Sequence, residues 1–319
     1  MPEITNLVNT LEERQPYIAL KQAQKGGSPL ACDNTSIAGS MSQRACVYSG
    51  ARVALNPVTD AVHLVHGPIG CASYTWDIRG SKSSDDETYR TSFSTDMKGL
   101  DVVFGGETKL SNAIDELVEQ YNPPAIFVYS TCIVGIIGDD LEAVCKSASE
   151  KHGIAVIPVK SEGFKGTKSD GYKAACNALM EIIGTKEPEI RSEYRINLLG
   201  EFNVAGDVWL VKPLFERMGI QVITSMTGDS TIDSISKCHG AQLNLVQCSG
   251  SMTYLAKWMK KKYGIPFQKI SFFGMEDLGN ALRTTADFFG SEEMKKIAEE
   301  IIEEETARIM PEISRIRGR

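Results

Sequence analysis

Three of the eight cysteines lie beside segments that predict exposed positions for their thiols. Cys71 follows an apolar run at residues 61–65 and the sequence Gly-Pro-Ile-Gly, a pattern typical of a strand that ends in an open loop. Cys132 follows the strand-like run 125–129, and Cys46 precedes the sequence Val-Tyr-Ser-Gly. Thiolates in loops whose backbone amides can donate hydrogen bonds to cluster sulfurs are typical ligands of iron-sulfur clusters. We therefore interpret Cys46, Cys71 and Cys132 as ligands of one such cluster.

This ligand set is incomplete, and spacing alone does not establish it. The three cysteines lack the Cys-x-x-Cys spacing of common metal motifs, so incidental exposed thiols are an alternative interpretation. A four-iron cluster also needs a fourth ligand. A cysteine from a partner subunit would supply that ligand and would place the cluster at an interface between subunits.

The other five cysteines have weaker or different signals. Cys248 follows a strand-like run, at the kind of position where open α/β sheets bind ligands. Cys145 and Cys176 have helical spacing to apolar neighbours, so we predict that both are buried. Cys238 precedes a histidine, which is a weak indication of a ligand pair, and Cys32 lies in an arm rich in Gly, Ser and Asn.

Length, composition and charge exclude several classes of protein. A chain of 319 residues with 42% hydrophobic residues is long enough for two domains with buried cores. A net charge of -7 and scattered Lys and Arg argue against nucleic acid as a partner. Residues 1–30 lack the pattern of a signal peptide, and no apolar run approaches membrane-spanning length. We expect a cytoplasmic protein, in which the cysteines do not form disulfides.

Strand-like and helix-like segments alternate along the chain, the pattern of parallel sheets with crossover helices. We predict an α/β fold with two doubly wound, Rossmann-like parallel-sheet domains. The predicted units are an N-terminal helix and arm at 1–45, a first α/β domain at 46–190, a second at 191–290 and a helical tail at 291–319. The predicted strands are residues 61–65, 101–104, 125–129, 154–159, 196–199, 220–224, 242–246 and 269–273. The predicted helices are residues 109–121, 139–151, 170–183, 207–218, 231–238, 252–263 and 277–289, and we expect Pro311 to kink or restart the tail.

Several segments resemble the nitrogenase component 1 superfamily in their residues, order and spacing. They are residues 66–71, 95–96, 101–107, 136–142, 162–166, 199–203, 206–207, 247–252 and 263–266. Within that superfamily, residues 73–80 and 129–132 are most similar to the α-type subunits of the scaffold that matures the iron-molybdenum cofactor. The resemblance runs from about residue 32 to residue 289, and it implies the fold of that superfamily and a role as a scaffold subunit.

The resemblance also implies roles for individual residues. Cys46, Cys71 and Cys132 match the superfamily's three α-side ligands of an interfacial four-iron four-sulfur (4Fe-4S) cluster, which a cysteine of a NifN-like β-type subunit completes. Cys248 matches the cysteine that holds the iron-sulfur precursor of the cofactor. Arg79 matches an arginine of the cofactor pocket, where a guanidinium would offset the negative charge of a sulfide-rich cluster.

Two departures from the catalytic α-subunit of nitrogenase bear on activity. Residues 167–173 contain neither the glutamine nor the histidine that the catalytic subunit carries there, so a route for protons is missing. Ala54 stands where that subunit has a valine that shields the cofactor, which would leave the pocket more open. We therefore expect a cofactor-assembly scaffold of oxidoreductase ancestry rather than a dinitrogen reductase.

Partners and substrates follow from the same resemblance. It implies a heterotetramer with the NifN-like subunit, a NifH-type reductase that supplies electrons and a protein that donates the cofactor precursor. It also implies that molybdenum and homocitrate are bound transiently. Superfamily members continue into a third α/β domain that carries the other anchor of the cofactor, so we expect the sequence to be a truncated form.

Three alternatives remain open on the sequence. One is a subunit of a tetrapyrrole reductase of the protochlorophyllide or nickel-sirohydrochlorin type, which also shares three cysteines across an interface. The segment around Cys248 argues against it. The second is the nitrogenase α-subunit itself. The third is an α/β binding module without a metal, in which Gly105, Gly106 and residues 138–140 would form phosphate sites, although acidic residues at a helix start compete with an anion.

Overall fold

The computed structural model describes residues 46–76, 82 and 92–317, which contain two four-stranded sheets with parallel neighbouring strands. This architecture confirms the predicted α/β class. The predicted N-terminal helix and arm, Cys32 and Arg79 lie outside the described residues. Among the helices that are described, none has both the length and the apolar character needed to cross a bilayer.

The first sheet has the strand order β2-β1-β3-β4. Its strands are β1 (Val62–His66), β2 (Ser92–Ser94), β3 (Ala125–Ser130) and β4 (Ala155–Val159). The helices around it are α1 (Val47–Leu55), α2 (Ile69–Trp76), α3 (Gly99–Phe104), α4 (Glu107–Tyr121), α5 (Cys132–Ile137), α6 (Leu141–His152) and α7 (Lys168–Ile182). Strands β1 and β3 are buried along their whole length, as expected for central strands of a parallel sheet that is covered on both faces.

The second sheet has the strand order β6-β5-β7-β8. Its strands are β5 (Tyr194–Glu201), β6 (Ile220–Thr227), β7 (Leu243–Val246) and β8 (Phe267–Lys269). Its helices are α8 (Asp207–Arg217), α9 (Ile232–Lys237), α10 (Ser249–Tyr263), α11 (Met275–Phe289) and α12 (Glu292–Arg317). Because β6 and β7 lie on opposite sides of β5, the connections diverge between β5 and β7, where sheets of this kind form a crevice.

Helices α1 and α7 cross at unusually short range, and glycines permit it. A Cβ on Gly171 would lie 2.1 Å from the carbonyl oxygen of Val47, and one on Gly50 would lie 2.1 Å from that of Lys168. The crossing belongs to one continuous apolar core, to which both sheets contribute through residues such as Phe127 in β3 and Val246 in β7. Helix α1, which begins next to Cys46, is therefore held by packing along its length.

The predicted strand at residues 101–104 is wrong, because these residues belong to helix α3. The apolar sequence Asp-Val-Val-Phe is typical of a buried strand, yet Val103 and Phe104 are largely exposed. The Asp101 carboxylate accepts hydrogen bonds from the backbone amide of Lys98 at 2.7 Å and from the Lys109 ammonium at 2.7 Å. These contacts favour a helix start, since they satisfy an amide that the first turn leaves without a helical partner.

Other predicted helix and strand boundaries also differ from those of the structure. Cys71 and Cys132 lie in the helices α2 and α5 rather than in open loops. The strand predicted at 269–273 is instead β8, which ends at Lys269, because the amide of Phe272 turns away to the side-chain oxygen of Gln247 at 3.0 Å. Pro311 does not restart the tail, since α12 continues through it.

Candidate metal centre

Each of the four candidate ligand cysteines lies at the start of a helix. Cys46 is the N-cap residue of α1, and Cys71 lies in the first turn of α2. Cys132 is the first residue of α5, and Cys248 is the N-cap residue of α10. The first turn of a helix has backbone amides without helical partners, and these amides can donate hydrogen bonds to a cluster sulfur.

The sulfurs of Cys46 and Cys132 face the same glycine. A Cβ placed on Gly163 would lie 3.1 Å from the sulfur of Cys132 and 3.4 Å from the sulfur of Cys46. The two sulfurs therefore lie no further apart than the sum of these distances, about 6.5 Å. Gly163 leaves open the space between them that any larger residue would fill.

Cys71 belongs to the same group of thiols. Burial raises the pKa of the Cys71 thiol above its ordinary value, and the neighbouring thiolates of Cys132 and Cys46 raise it further. Such a charge effect requires the three sulfurs to be near one another. The structure thus brings together three cysteines that are separated by 25 and 61 positions in the sequence, at one corner of the first sheet.

Hydroxyl groups hold the turns that carry these cysteines. The Thr131 hydroxyl donates to the carbonyl oxygen of His66 at 2.9 Å, which joins the turn before Cys132 to the end of β1. A Cβ on Gly67 would lie 2.2 Å from the Thr131 hydroxyl oxygen, so this contact requires glycine. The Ser49 hydroxyl donates to the carbonyl oxygen of Cys46 at 2.8 Å. The cysteine positions are therefore fixed by contacts of the protein itself.

The donor set suits an iron-sulfur cluster better than a single ion. All three cysteines are free of disulfides. Within the described residues, no three His, Cys, Asp or Glu side chains form a group that could hold one metal ion. A cluster distributes its ligands over several irons, and thiolates are its usual ligands. Two sulfurs several ångström apart beside an open glycine, with a third thiol nearby, therefore fit a cluster.

Apolar side chains are exposed beside the three cysteines. Cys132 is itself exposed. Ile136, one turn further along α5, is 70% exposed, and Phe164, next to Gly163, is 46% exposed. Ile69, two residues before Cys71, is 43% exposed. Contiguous exposed apolar residues are typical of a surface that a partner covers.

Cys248 lies at a different place, beyond the carboxyl end of β7. It is half-buried and rests against Gly200, whose φ of +83° lies in the left-handed region. A Cβ on Gly200 would come within 2.8 Å of the Cys248 amide nitrogen. The thiol is therefore presented at the carboxyl edge of the second sheet by a backbone contact that excludes other side chains.

The remaining predicted residues have various outcomes. The structure buries Cys145 and Cys176 completely, as their helical spacing predicts. Cys238 is also fully buried, which disfavours the weakly indicated ligand pair with His239. Ala54 is fully buried, and its carbonyl oxygen accepts a hydrogen bond from the Thr227 hydroxyl in β6. Arg79 lies outside the described residues.

The sequence analysis missed a buried polar cluster beneath the cysteine corner. The Asp139 carboxylate accepts from the Gly106 amide, at 3.1 Å to each oxygen, and lies 3.1 Å from Nε2 of His66. Burial lowers the pKa of His66, although the Asp139 carboxylate opposes this shift. Gly105, Gly106 and the Gly-Asp-Asp sequence at 138–140 suggest a phosphate site in the sequence. In the structure, the anion that accepts from the Gly106 amide is the carboxylate of Asp139. This occupancy removes the argument for a phosphate site there.

A family model described as nitrogenase component 1 type oxidoreductase matches residues 46–319. The chain is 69% identical to the nitrogenase iron-molybdenum cofactor biosynthesis protein NifE of Methanosarcina barkeri, over 99% of this chain and 71% of that protein. It is 56% identical to NifE of Clostridium pasteurianum, over 98% and 69% of the two chains. It is 42% identical to the nitrogenase molybdenum-iron protein alpha chain of Methanosarcina barkeri, over 90% and 56%.

Solved structures show the same fold. The structure titled "Nitrogenase Cp1 at pH 5" superposes with a TM-score of 0.84 and 40% sequence identity. The match covers 95% of this chain and 63% of that one, so the chain spans less than two thirds of the matched structure.

Proposed function

The chain belongs to the nitrogenase component 1 type oxidoreductase family, with NifE proteins among its relatives, and we propose that it is an α-type scaffold subunit for assembly of the iron-molybdenum cofactor. The observation that carries this proposal is the convergence of three helix starts, with Cys46 and Cys132 against Gly163 and Cys71 close enough to feel the charge of both. The scaffold would act in the cytoplasm.

The three cysteines would hold a resident 4Fe-4S cluster. When bound, this group would supply one-electron transfer. The contribution of the chain is to place the three thiols at helix starts, to leave space at Gly163 and to keep polar side chains of its own, such as Asp139, engaged elsewhere. These features support a resident cluster.

A NifN-like β-type subunit would supply the fourth ligand, in a heterotetramer. The exposed sulfur of Cys132 and the exposed Ile136 and Phe164 support this part of the proposal. Burial of such side chains against a partner would stabilise the assembly by about 25 cal/mol for each Å² of apolar surface removed from water. It would also remove water from the cluster.

A reductase of the NifH type would dock near this interface. Helix α3 exposes Leu100, Val103 and Phe104, the last with 83% of its surface accessible. An apolar helix face of this kind on a folded domain is a typical contact surface for another protein. A protein that donates the cofactor precursor would be a further, transient partner.

The iron-sulfur precursor would be cargo, held by Cys248, with Arg79 and Ala54 as further pocket residues. Molybdenum and homocitrate would be exchanged into it as substrates. Residues 167–173 support a scaffold rather than a dinitrogen reductase, because their polar groups serve the start of α7. The Asp170 carboxylate accepts from the Thr167 amide at 3.0 Å and from the Thr167 hydroxyl at 2.9 Å. Residues 167–173 contain no histidine, so this segment has no imidazole that could donate a proton.

Anaerobic co-expression with a NifN-like partner tests the proposal. We expect the purified complex to show a 4Fe-4S signal in electron paramagnetic resonance, and Cys71→Ala to lose that signal while iron held through Cys248 partly remains. Cys145→Ala is the matched control, because it removes a fully buried thiol from the same half of the chain. Equal iron, sulfide and spectra in the complex and in Cys71→Ala would contradict the ligand assignment.

A further inference from the structure

A cavity of about 360 Å³ lies at the crevice of the second sheet, apart from the cysteine corner. It is lined at its inner end by Glu201, the last residue of β5, and by Gln247, which directly follows β7. These two strands are the ones between which the chain connections diverge. Open α/β sheets bind their ligands at this position, and the volume is within the range of about 300–1,000 Å³ that small-molecule sites occupy.

The walls of this cavity are mainly apolar. They come from three helices: α8 with Val211, α11 with Leu278, and α12 with Ile309 and Ile313. Such walls favour a ligand with a hydrocarbon body, because burying that body against them removes apolar surface from water.

Two carboxyl groups give the inner end its charge. Glu201 is 6% exposed, and its carboxylate accepts one hydrogen bond from the Asn203 amide at 2.8 Å. Asp207, the first residue of α8, is half-buried and also lines the cavity. Burial raises the pKa of Glu201, and the charge of Asp207 raises it further. The ion pairs of the described residues include neither Glu201 nor Asp207.

The cation that lines the cavity is already engaged. Arg308, on α12, donates from its Nε to the Glu305 carboxylate at 3.0 Å, and its side chain is 68% exposed at the outer end. It therefore does not compensate the two inner carboxyl groups. Among the described residues, therefore, no cation offsets the buried Glu201 carboxylate, whose charge is costly to bury unless a cation joins it.

We propose that this cavity binds a small organic cation, an amine with an apolar body, whose ammonium group lies between Glu201 and Asp207. The hydrocarbon part would lie against Val211, Leu278 and Ile309. Gln247 adjoins Cys248, but the amine proposal rests on neither the cysteines nor the proposed scaffold function, so either proposal can fail without the other.

Isothermal titration of the purified chain at low ionic strength tests this site, with n-hexylammonium chloride as the probe. Hexan-1-ol and sodium hexanoate are the matched neutral and anionic probes of the same length. We expect the amine to bind at least tenfold more tightly than either. We also expect Glu201→Gln and Asp207→Asn each to weaken amine binding at least tenfold.

Glu216→Gln is the control variant, because Glu216 lies on the same helix but outside this cavity. It should bind the amine as the parent chain does. If Glu201→Gln fails to fold, Asp207→Asn decides, since its side chain is only half-buried. Equal binding of the amine and the alcohol, or undiminished amine binding in the carboxyl variants, would overturn the proposal.

Discussion

The α-carbon of Gly163 faces the sulfur of Cys132, so closely that a Cβ on Gly163 would lie 3.1 Å from that sulfur. The same Cβ would lie 3.1 Å from the Cβ of Cys46. Absence of a side chain at this single position is therefore what keeps a space open between two thiols from distant parts of the chain. The requirement for glycine at position 163 is steric, and substitution by alanine, which adds one methyl group, is the smallest change that tests it.

Gly163→Ala should reduce iron binding more than it reduces stability. We expect an overpacking cost of about 1–3 kcal/mol in the free energy of unfolding. The added methyl group would also displace the sulfurs of Cys46 and Cys132, so the iron content per chain of the anaerobic complex should fall and its paramagnetic spectrum should change. Iron and sulfide analysis with thermal denaturation measures both effects.

Gly70→Ala is the matched control for that experiment. Gly70 precedes Cys71 within α2, and a Cβ there would have no neighbouring atom within 4 Å. We expect unchanged iron content and equal or higher stability, because alanine is favoured over glycine in a helix by about 0.8–1.0 kcal/mol. Equal iron content in Gly163→Ala and Gly70→Ala would show that the space at Gly163 is not needed.

Gly200→Ala should destabilise the second sheet. Its φ of +83° costs a residue with a side chain about 1–2 kcal/mol, and its Cβ would collide with the Cys248 amide nitrogen at 2.8 Å. We expect the free energy of unfolding in urea to fall by at least that cost. Gly250→Ala, where a Cβ would meet open space, should change it little. Similar urea midpoints for the two variants would contradict the close contact.

Asp139→Ala should be more harmful than Asp139→Asn. Alanine leaves the Gly106 amide and Nε2 of His66 without their partner in a buried site, at a cost of about 1–3 kcal/mol for each such group. Asparagine keeps an acceptor oxygen for the Gly106 amide. Urea denaturation of the two variants at pH 7.5 measures the difference, and equal losses would argue that these hydrogen bonds contribute nothing.

His63 should make stability depend on pH below neutrality. Burial, followed by the positive charge of Arg52, holds the pKa of His63 well below its ordinary value of 6.5 in the folded chain. The unfolded chain takes up a proton near pH 6.5 and the folded chain does not, so stability from this residue is present above that pH and is lost as the pH falls. From pH 8 to pH 5.5 the loss is about 1 kcal/mol.

His63→Gln isolates this effect. The substitution removes the contact between Nδ1 of His63 and the Tyr129 hydroxyl, at 2.8 Å, so it should destabilise the chain at pH 8. Its penalty should shrink by about 1 kcal/mol at pH 5.5, because glutamine does not titrate. A penalty that is the same at both pH values would show that His63 is not held neutral.

The central strands could be predicted from the sequence because a short, continuous run of apolar residues is by itself typical of a strand that is buried on both faces. Residues 125–129 consist of apolar residues that suit a strand buried on both faces, and β3 occupies them. Residues 101–104 contain a similar run, and there the prediction is wrong. The deciding contact is between Asp101 and the amide of Lys98, which the apolar pattern does not contain.

The candidate site could be predicted in its residues but not in its geometry. Cys46, Cys71 and Cys132 stand out by their neighbours in the sequence, and their ligation of a cluster stays a prediction. Their placement at three neighbouring helix starts depends on contacts between distant segments, such as that of Thr131 with His66. The amide of Gly106 meets a carboxylate 33 residues away, and no local pattern indicates that pairing.

Helix α1 carries Cys46 at its first end and Ala54 near its second, where the Ala54 carbonyl oxygen meets the Thr227 hydroxyl. At 1.5 Å per residue, the nine residues of this helix span about 13 Å. Its close crossing with α7 at Gly50 and Gly171 leaves no space for a side chain between the two helices. One packed helix therefore joins the residue at the cysteine corner to the end of β6, so the corner of one sheet and the rim of the other share a single structural element.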